Sequence, residues 1–134
     1  MKSCIAAFLL VAPALTASGQ NLIGYKNSEI LSFMKANRKD LVLNKVNNNK
    51  YSYLKYTNET ESQTILYFLD SDSVCRSIRI ICDAGTKLQK IKEFNAMYRK
   101  TGENKWIETR KGIDYLIEIR DEEWACIISM LRVN

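Results

Sequence analysis

The sequence of 134 residues contains no histidine. Histidine is the commonest general base, the usual partner of serine and cysteine nucleophiles, and a frequent zinc ligand. Its absence makes an enzyme less expected without excluding one. Glycine-rich phosphate-binding loops are lacking as well. We therefore expect neither a cofactor nor a metal site.

Long hydrophobic runs are also lacking, since the main apolar stretch covers only residues 5–15. This is too short to span a bilayer, but it follows Lys2 and precedes the small residues 17–19, as in a cleaved signal peptide. We predict a signal peptide over residues 1–19 with cleavage between Gly19 and Gln20, and cleavage after Ser18 is the alternative. No cysteine stands at the cleavage point to carry a lipid anchor, so a periplasmic or secreted protein is expected.

The net charge is +5 and falls to +4 when Lys2 is removed with the signal peptide. The basic residues are scattered among acids, which is typical of a solvated surface. Nucleic acid is not expected as a partner outside the cytoplasm. A protein partner in the cell envelope is favoured, and anionic lipid or glycan is an open alternative.

Hydrophobic periodicity divides residues 20–134 into helices and strands of a single α+β domain. A helix begins at Asn27 or Ser28, and a second begins at Asp83 or Thr86 and ends at Gly102. Strands are predicted at 41–43, 51–56, 64–69, 74–82, 105–110, 112–120 and 124–133. The turns at 70–73 and 121–123 align with each other, which indicates two helix-plus-antiparallel-meander units at about 24–82 and 83–134. A tandem repeat is one interpretation of these units, and coincidental similarity of two α+β halves is the other. We expect the helices to pack on one face of antiparallel sheet.

Three cysteines remain after residue 19, so at most one intramolecular disulfide can form. Side chains alternate between the two sides of a strand, and Cys82 and Cys126 fall on the same side as the core residues of their strands. Cys75 falls on the opposite side. A Cys82–Cys126 disulfide with Cys75 as a free thiol is one interpretation. The other interpretation is that all three cysteines are reduced thiols packed in the core.

Aromatic residues on the strands are candidates for partner contact. Trp124 and Tyr115 share the parity of neighbouring isoleucines, which predicts that both are buried. Trp106 has Glu108 and Arg110 on its own side of the strand, and Tyr53 lies beside Lys55. We therefore predict an exposed binding surface with Tyr53, Lys55 and Trp106, although a place at the rim of the core is the alternative.

Carboxylate pairs offer the main route to catalysis. Asp70 with Asp72, and the acidic run 121–123, could supply an acid and a base, but turn chemistry explains acids at these places equally well. No catalytic residue is assigned. A small hydrolase, or a thiol-active enzyme using Cys75, is the least favoured hypothesis.

Residues 24–80 resemble the small SmpA/OmlA lipoproteins and the related β-lactamase-inhibitor-protein fold. The resemblance is carried by Gly24, Ser28, Glu29 and Ile30, then Tyr51-x-Tyr53, then Tyr67-Phe68-x-Asp70 with Val74 and Ile78. It implies a non-catalytic protein that binds other proteins through a sheet face. An exported binding or assembly module is therefore the leading hypothesis, and a carrier of a small lipid or glycan in a helix–sheet cavity is the alternative.

Overall fold

The computed structural model describes residues 21–47 and 52–133. In chain order the elements are α1 (Asn27–Asn37), β1 (Leu41–Asn47), β2 (Ser52–Asn58), β3 (Gln63–Leu69), β4 (Cys75–Asp83), a short 3₁₀ helix (Ala84–Thr86), α2 (Lys87–Met97), β5 (Arg99–Gly102), β6 (Lys105–Arg110), β7 (Ile113–Asp121) and β8 (Ala125–Arg132). Neither of the described helices has the length and apolar character that crossing a membrane requires. The predicted signal peptide and its cleavage point lie outside the described residues.

All eight strands belong to one antiparallel sheet with the order β1-β2-β3-β4-β8-β7-β6-β5. The two central strands are β4 and β8, whose pairing runs from Ser77 opposite Leu131 to Asp83 opposite Ala125. The strands β1 and β5 form the two edges. The hydrogen-bonded ladder is therefore continuous from the first half of the chain to the second.

The predicted fold class, an α+β domain of two helix-plus-meander units, is wrong. Strands make up more than half of the described residues, and the helices are two segments of eleven residues each. Each helix does precede four strands in the chain, but the β4–β8 pairing merges these strands into one sheet over one core. The protein is a mostly β fold, and the expected antiparallel pairing is confirmed.

Both helices pack on the same face of the sheet, here called the helix face. Side chains alternate along each strand, so every second residue points toward the helices. From the strands these include Leu54, Tyr56, Ile65, Tyr67, Ile78, Ile80, Trp106, Tyr115, Ile117, Ile119, Ile128 and Met130. Helix α1 adds Ile30 and Met34 to this core, and α2 adds Phe94. The core is thus a single layer between sheet and helices.

Local contacts fix where the first helix begins. The carboxylate of Glu29 accepts a hydrogen bond of 2.8 Å from the backbone N–H of Lys26, which satisfies one of the donors that a helix start leaves unpaired. The N-cap is therefore Lys26 rather than the predicted Asn27 or Ser28.

The segment before α1 is tied to the far half of the sheet. The guanidinium of Arg110, on β6, donates to the carbonyls of Asn21 at 2.6 Å and Ile23 at 3.0 Å. It also lies over the Tyr115 ring, 4.8 Å from the centroid. This segment and Arg110 close the core at the end where β6 and β7 meet.

Candidate binding surface

The other side of the sheet, here called the open face, is not covered by any described helix. It consists of the alternate strand residues, and none of them belongs to the buried core cluster. Strand register places six of them in one row across the sheet: Tyr53, Phe68, Ser77, Leu131, Leu116 and Ile107. We name this set the apolar row. It crosses β2, β3, β4, β8, β7 and β6, and five of its six side chains are aromatic or aliphatic.

Aromatic contacts order one end of the apolar row. The rings of Tyr53 and Phe68 lie with centroids 5.8 Å apart at an angle of 49°. The guanidinium of Arg79 sits over the Phe68 ring, 5.8 Å from its centroid. Farther along, Leu131 is 49% exposed on the central strand β8. The row therefore presents an ordered apolar surface to its surroundings.

The charges around the apolar row are mostly positive. On the described strands, the charged side chains of the open face include five cations and three acids: Lys55, Arg79, Arg99, Lys105 and Arg120, with Asp83, Asp114 and Glu118. Glu118 lies 3.7 Å from the Lys105 ammonium, so it neutralises one of these cations. Arg120 likewise pairs with Glu122 at 3.3 Å. The rim therefore keeps a small net positive charge, which favours a partner with an acidic surface.

Two of the three predicted contact residues lie on the open face, and the third does not. Tyr53 belongs to the apolar row and Lys55 lies beside the row on β2, and both side chains are half-buried. Trp106 is on the helix face and is 0% exposed, so its predicted exposure is wrong. The charges that share its side of β6 face inward because Asn21 bonds to Glu108 and the segment from Asn21 to Ile23 bonds to Arg110.

The prediction for Trp124 is wrong in the opposite direction from that for Trp106. It was expected in the core but is 83% exposed. The strand β8 begins only at Ala125, so Trp124 belongs to the β7–β8 turn, which Glu122 and Ala125 close by backbone hydrogen bonds. Side-chain alternation holds inside a strand and cannot be extended through a turn. The prediction for Tyr115, which is buried, is confirmed.

The cysteines Cys82 and Cys126 lie directly opposite each other on the two central strands, and both are buried. They are free thiols, so the predicted disulfide is not formed. Burial raises the pKa of each thiol above its usual value. A raised pKa keeps a thiol protonated, which makes it slow to react.

Cys75 lies in the core. Strand alternation suggested the opposite, that its side chain points away from the core. A register shift between Phe68 and Leu69 places Cys75 opposite Leu69 and turns its side chain inward. Burial raises its pKa to about 12, and its thiol donates to the Ser77 carbonyl at 3.4 Å. The thiol is therefore neutral near pH 7, which disfavours Cys75 as a nucleophile.

The acidic turns are explained by local structure. One Asp70 carboxylate oxygen accepts the backbone N–H groups of Asp72 at 2.8 Å and Val74 at 3.0 Å. These bonds, with the Arg76 guanidinium, lower the pKa of Asp70. Glu122 pairs with Arg120 at 3.3 Å. Backbone hydrogen bonds and ion pairs thus explain why Asp70 and Glu122 stand in these turns.

Sequence reasoning missed most of the apolar row. The signal was present in the run Ile65-Leu66-Tyr67-Phe68-Leu69, because a strand that is apolar on both sides differs from one with a solvated face. Such a run indicates that a second apolar surface exists on the sheet. Only a known register could have aligned Phe68 with Leu131 and Leu116 on other strands.

Comparisons with models of protein families, with curated proteins and with solved structures find no match for this chain.

Proposed function

We propose that this protein is a non-catalytic binding or assembly module that docks a protein partner on the open face of its sheet. The observation that carries the proposal is the apolar row, which crosses six strands on a face without a covering element among the described residues. A contiguous apolar surface of this kind is characteristic of an interaction site on a folded protein.

The composition of the open face specifies the kind of partner. Tyrosine, phenylalanine and arginine are enriched in interface cores, and Tyr53, Phe68 and Arg79 lie together here. The positive rim adds attraction to carboxylates. We infer a partner with an apolar patch bordered by aspartate or glutamate side chains.

We further propose that the protein acts outside the cytoplasm, after removal of residues 1–19. The support is the short apolar run before Gly19 and Gln20. The resemblance to SmpA/OmlA lipoproteins and the β-lactamase-inhibitor fold agrees with a sheet-face binder in the cell envelope. N-terminal sequencing of protein recovered from the envelope tests this proposal. A first residue of Gln20 supports it, and an intact Met1 on the envelope-recovered protein would contradict it.

The docking proposal is tested by affinity capture from an envelope extract with three forms of the protein. The wild type is compared with Leu131→Asp, which puts a charge into the apolar row, and with Leu88→Asp as the matched control. Leu88 is 79% exposed on α2, on the other side of the sheet. We expect a partner that the wild type and Leu88→Asp retain and Leu131→Asp loses. Retention by Leu131→Asp and loss by Leu88→Asp would assign binding to the helix side instead.

A further inference from the structure

A separate cavity lies on the helix face, where the C-terminal end of α1 meets the edge formed by β1 and β2. Its volume is about 410 Å³, which is in the range of sites that bind small molecules. The aliphatic and aromatic part of its wall comes from Leu31, Met34, Leu41, Leu43 and Tyr56. A hydrocarbon chain is the kind of group that such a wall accepts.

Three cations form the remainder of the cavity wall: Lys35, Arg38 and Lys39. Arg38 is already engaged, because its guanidinium pairs with Asp40 at 3.0 Å and donates to Gln63 at 3.2 Å. No ion pair within the described part of the chain joins Lys35 or Lys39 to a carboxylate. Within residues 21–44 and 52–133, the two lysines therefore leave a positive charge at the mouth that no ion pair balances.

The cavity wall also includes the hydroxyl group of Tyr56. The hydroxyl of Tyr56 makes no hydrogen bond to any described residue, although its ring packs edge-on against Tyr67 with centroids 6.0 Å apart. Burial raises the pKa of Tyr56, which keeps its hydroxyl protonated and able to donate. A hydrogen-bond acceptor on a ligand would satisfy it.

We propose that this cavity binds an amphiphile with one anionic headgroup and an aliphatic tail. The tail lies against Met34, Leu41 and Tyr56, and the headgroup lies near Lys35 and Lys39. A carboxylate headgroup balances the free lysine charge and accepts from the Tyr56 hydroxyl. This site is on the opposite side of the sheet from the apolar row, so the proposal is independent of the docking proposal.

The test is isothermal titration of the purified protein, residues 20–134, with dodecanoate below its micelle concentration. Dodecanol is the neutral counterpart, and inorganic phosphate is the headgroup-like anion without a tail. We expect saturable binding of dodecanoate, weaker binding of dodecanol, and none of phosphate. We also expect added salt to weaken dodecanoate binding, because the lysines at the mouth are exposed.

Two charge-reversal variants connect the binding to this cavity. Lys35→Glu/Lys39→Glu should weaken dodecanoate binding by about three- to tenfold or more. Lys92→Glu/Lys100→Glu makes the same change of net charge away from the cavity and should leave the affinity unaltered. Circular dichroism of both variants verifies that they fold, and Tyr56→Phe, which keeps the ring, should also weaken binding.

Three results would overturn the proposal. They are no saturable binding of dodecanoate, equal binding of dodecanol and dodecanoate, or equal effects of the two double variants. Binding of phosphate as strong as that of dodecanoate would show that the site recognises a free anion and would overturn the role of the tail. Because the open face carries none of these residues, failure here leaves the capture experiment with Leu131→Asp unaffected.

Discussion

The indole N–H of Trp106 donates a hydrogen bond of 2.9 Å to the side-chain oxygen of Asn95 and so joins β6 to α2. The Trp106 ring also meets the Phe94 ring edge-on, with centroids 5.3 Å apart. Phe94 is the only residue of α2 that is fully buried. Trp106 is therefore one attachment point of this helix to the sheet, and the ion pair of 2.6 Å between Lys87 and Asp121 is another.

We predict that Asn95→Ala lowers the free energy of unfolding by about 1–3 kcal/mol, because the buried indole N–H loses its acceptor. Urea denaturation measures this effect. The control is the same substitution in a Trp106→Phe background, where there is no indole N–H to leave unpaired and the cost should nearly vanish. An equal cost in both backgrounds would show that Asn95 acts through something other than Trp106.

Arg110 should be the residue that anchors the segment before α1. Arg110→Ala removes the bonds to the Asn21 and Ile23 carbonyls, at an expected cost of about 1.5–3 kcal/mol in unfolding free energy. Amide hydrogen exchange should speed up at Gly24, whose N–H donates to the Cys75 carbonyl at 2.8 Å. Arg99→Ala, on the edge strand β5, is the matched control and should change neither quantity. Unchanged exchange at Gly24 in Arg110→Ala would contradict the anchoring role.

Stability should fall at high pH because of the buried thiols. The pKa of Cys75 is about 12 in the folded protein against an ordinary 9.0, so the unfolded chain loses its proton first. The contribution of the protonated Cys75 thiol to the free energy of unfolding is complete below about pH 9 and is lost as the pH rises toward 12. Burial acts in the same direction on the pKa of Tyr67 and Tyr98. Urea midpoints between pH 7 and 11 should decline, and less steeply in Cys75→Ala; an identical decline in that variant would exclude Cys75 as a source.

The positions of Cys82 and Cys126 predict that a disulfide can form between them under oxidising conditions. Directly opposed residues of antiparallel strands lie within the Cα separation that a disulfide spans. Glutathione disulfide would take up the two electrons and two protons that the thiols release. Because burial makes both thiols slow to react, peptide mapping by mass spectrometry should find the Cys82–Cys126 linkage only after long incubation at pH 8. A linkage that contains Cys75 instead would contradict the register of β4 and β8.

Much of the sheet could be predicted from sequence because local alternation is a strong signal. Seven of the eight strands were expected close to their observed positions, and so were the turns after Leu69 and Asp121. The edge strand β5 was missed, since the second helix ends at Met97 and not near Gly102. Residues 99–102 are polar, and only pairing with β6 makes them a strand.

The errors arose where a distant contact overrides a local pattern. The charged neighbours of Trp106 suggested exposure, but they bind a segment more than eighty positions away in the chain. Cys75 is turned inward by a register shift, which strand alternation alone does not reveal. The merging of two meanders into one sheet likewise depends on the β4–β8 pairing. For the same reason the apolar row emerges only when the strands are aligned.

The central claim, that the apolar row contacts a partner, is tested most directly by photo-crosslinking in the source cells. A benzophenone amino acid is placed at Phe68 in the row and, in a second protein, at Leu88 on the exposed side of α2. We predict a discrete crosslinked adduct from position 68 that disappears when Leu131→Asp is added, and no such adduct from position 88. An adduct from position 88 with none from position 68 would contradict the account.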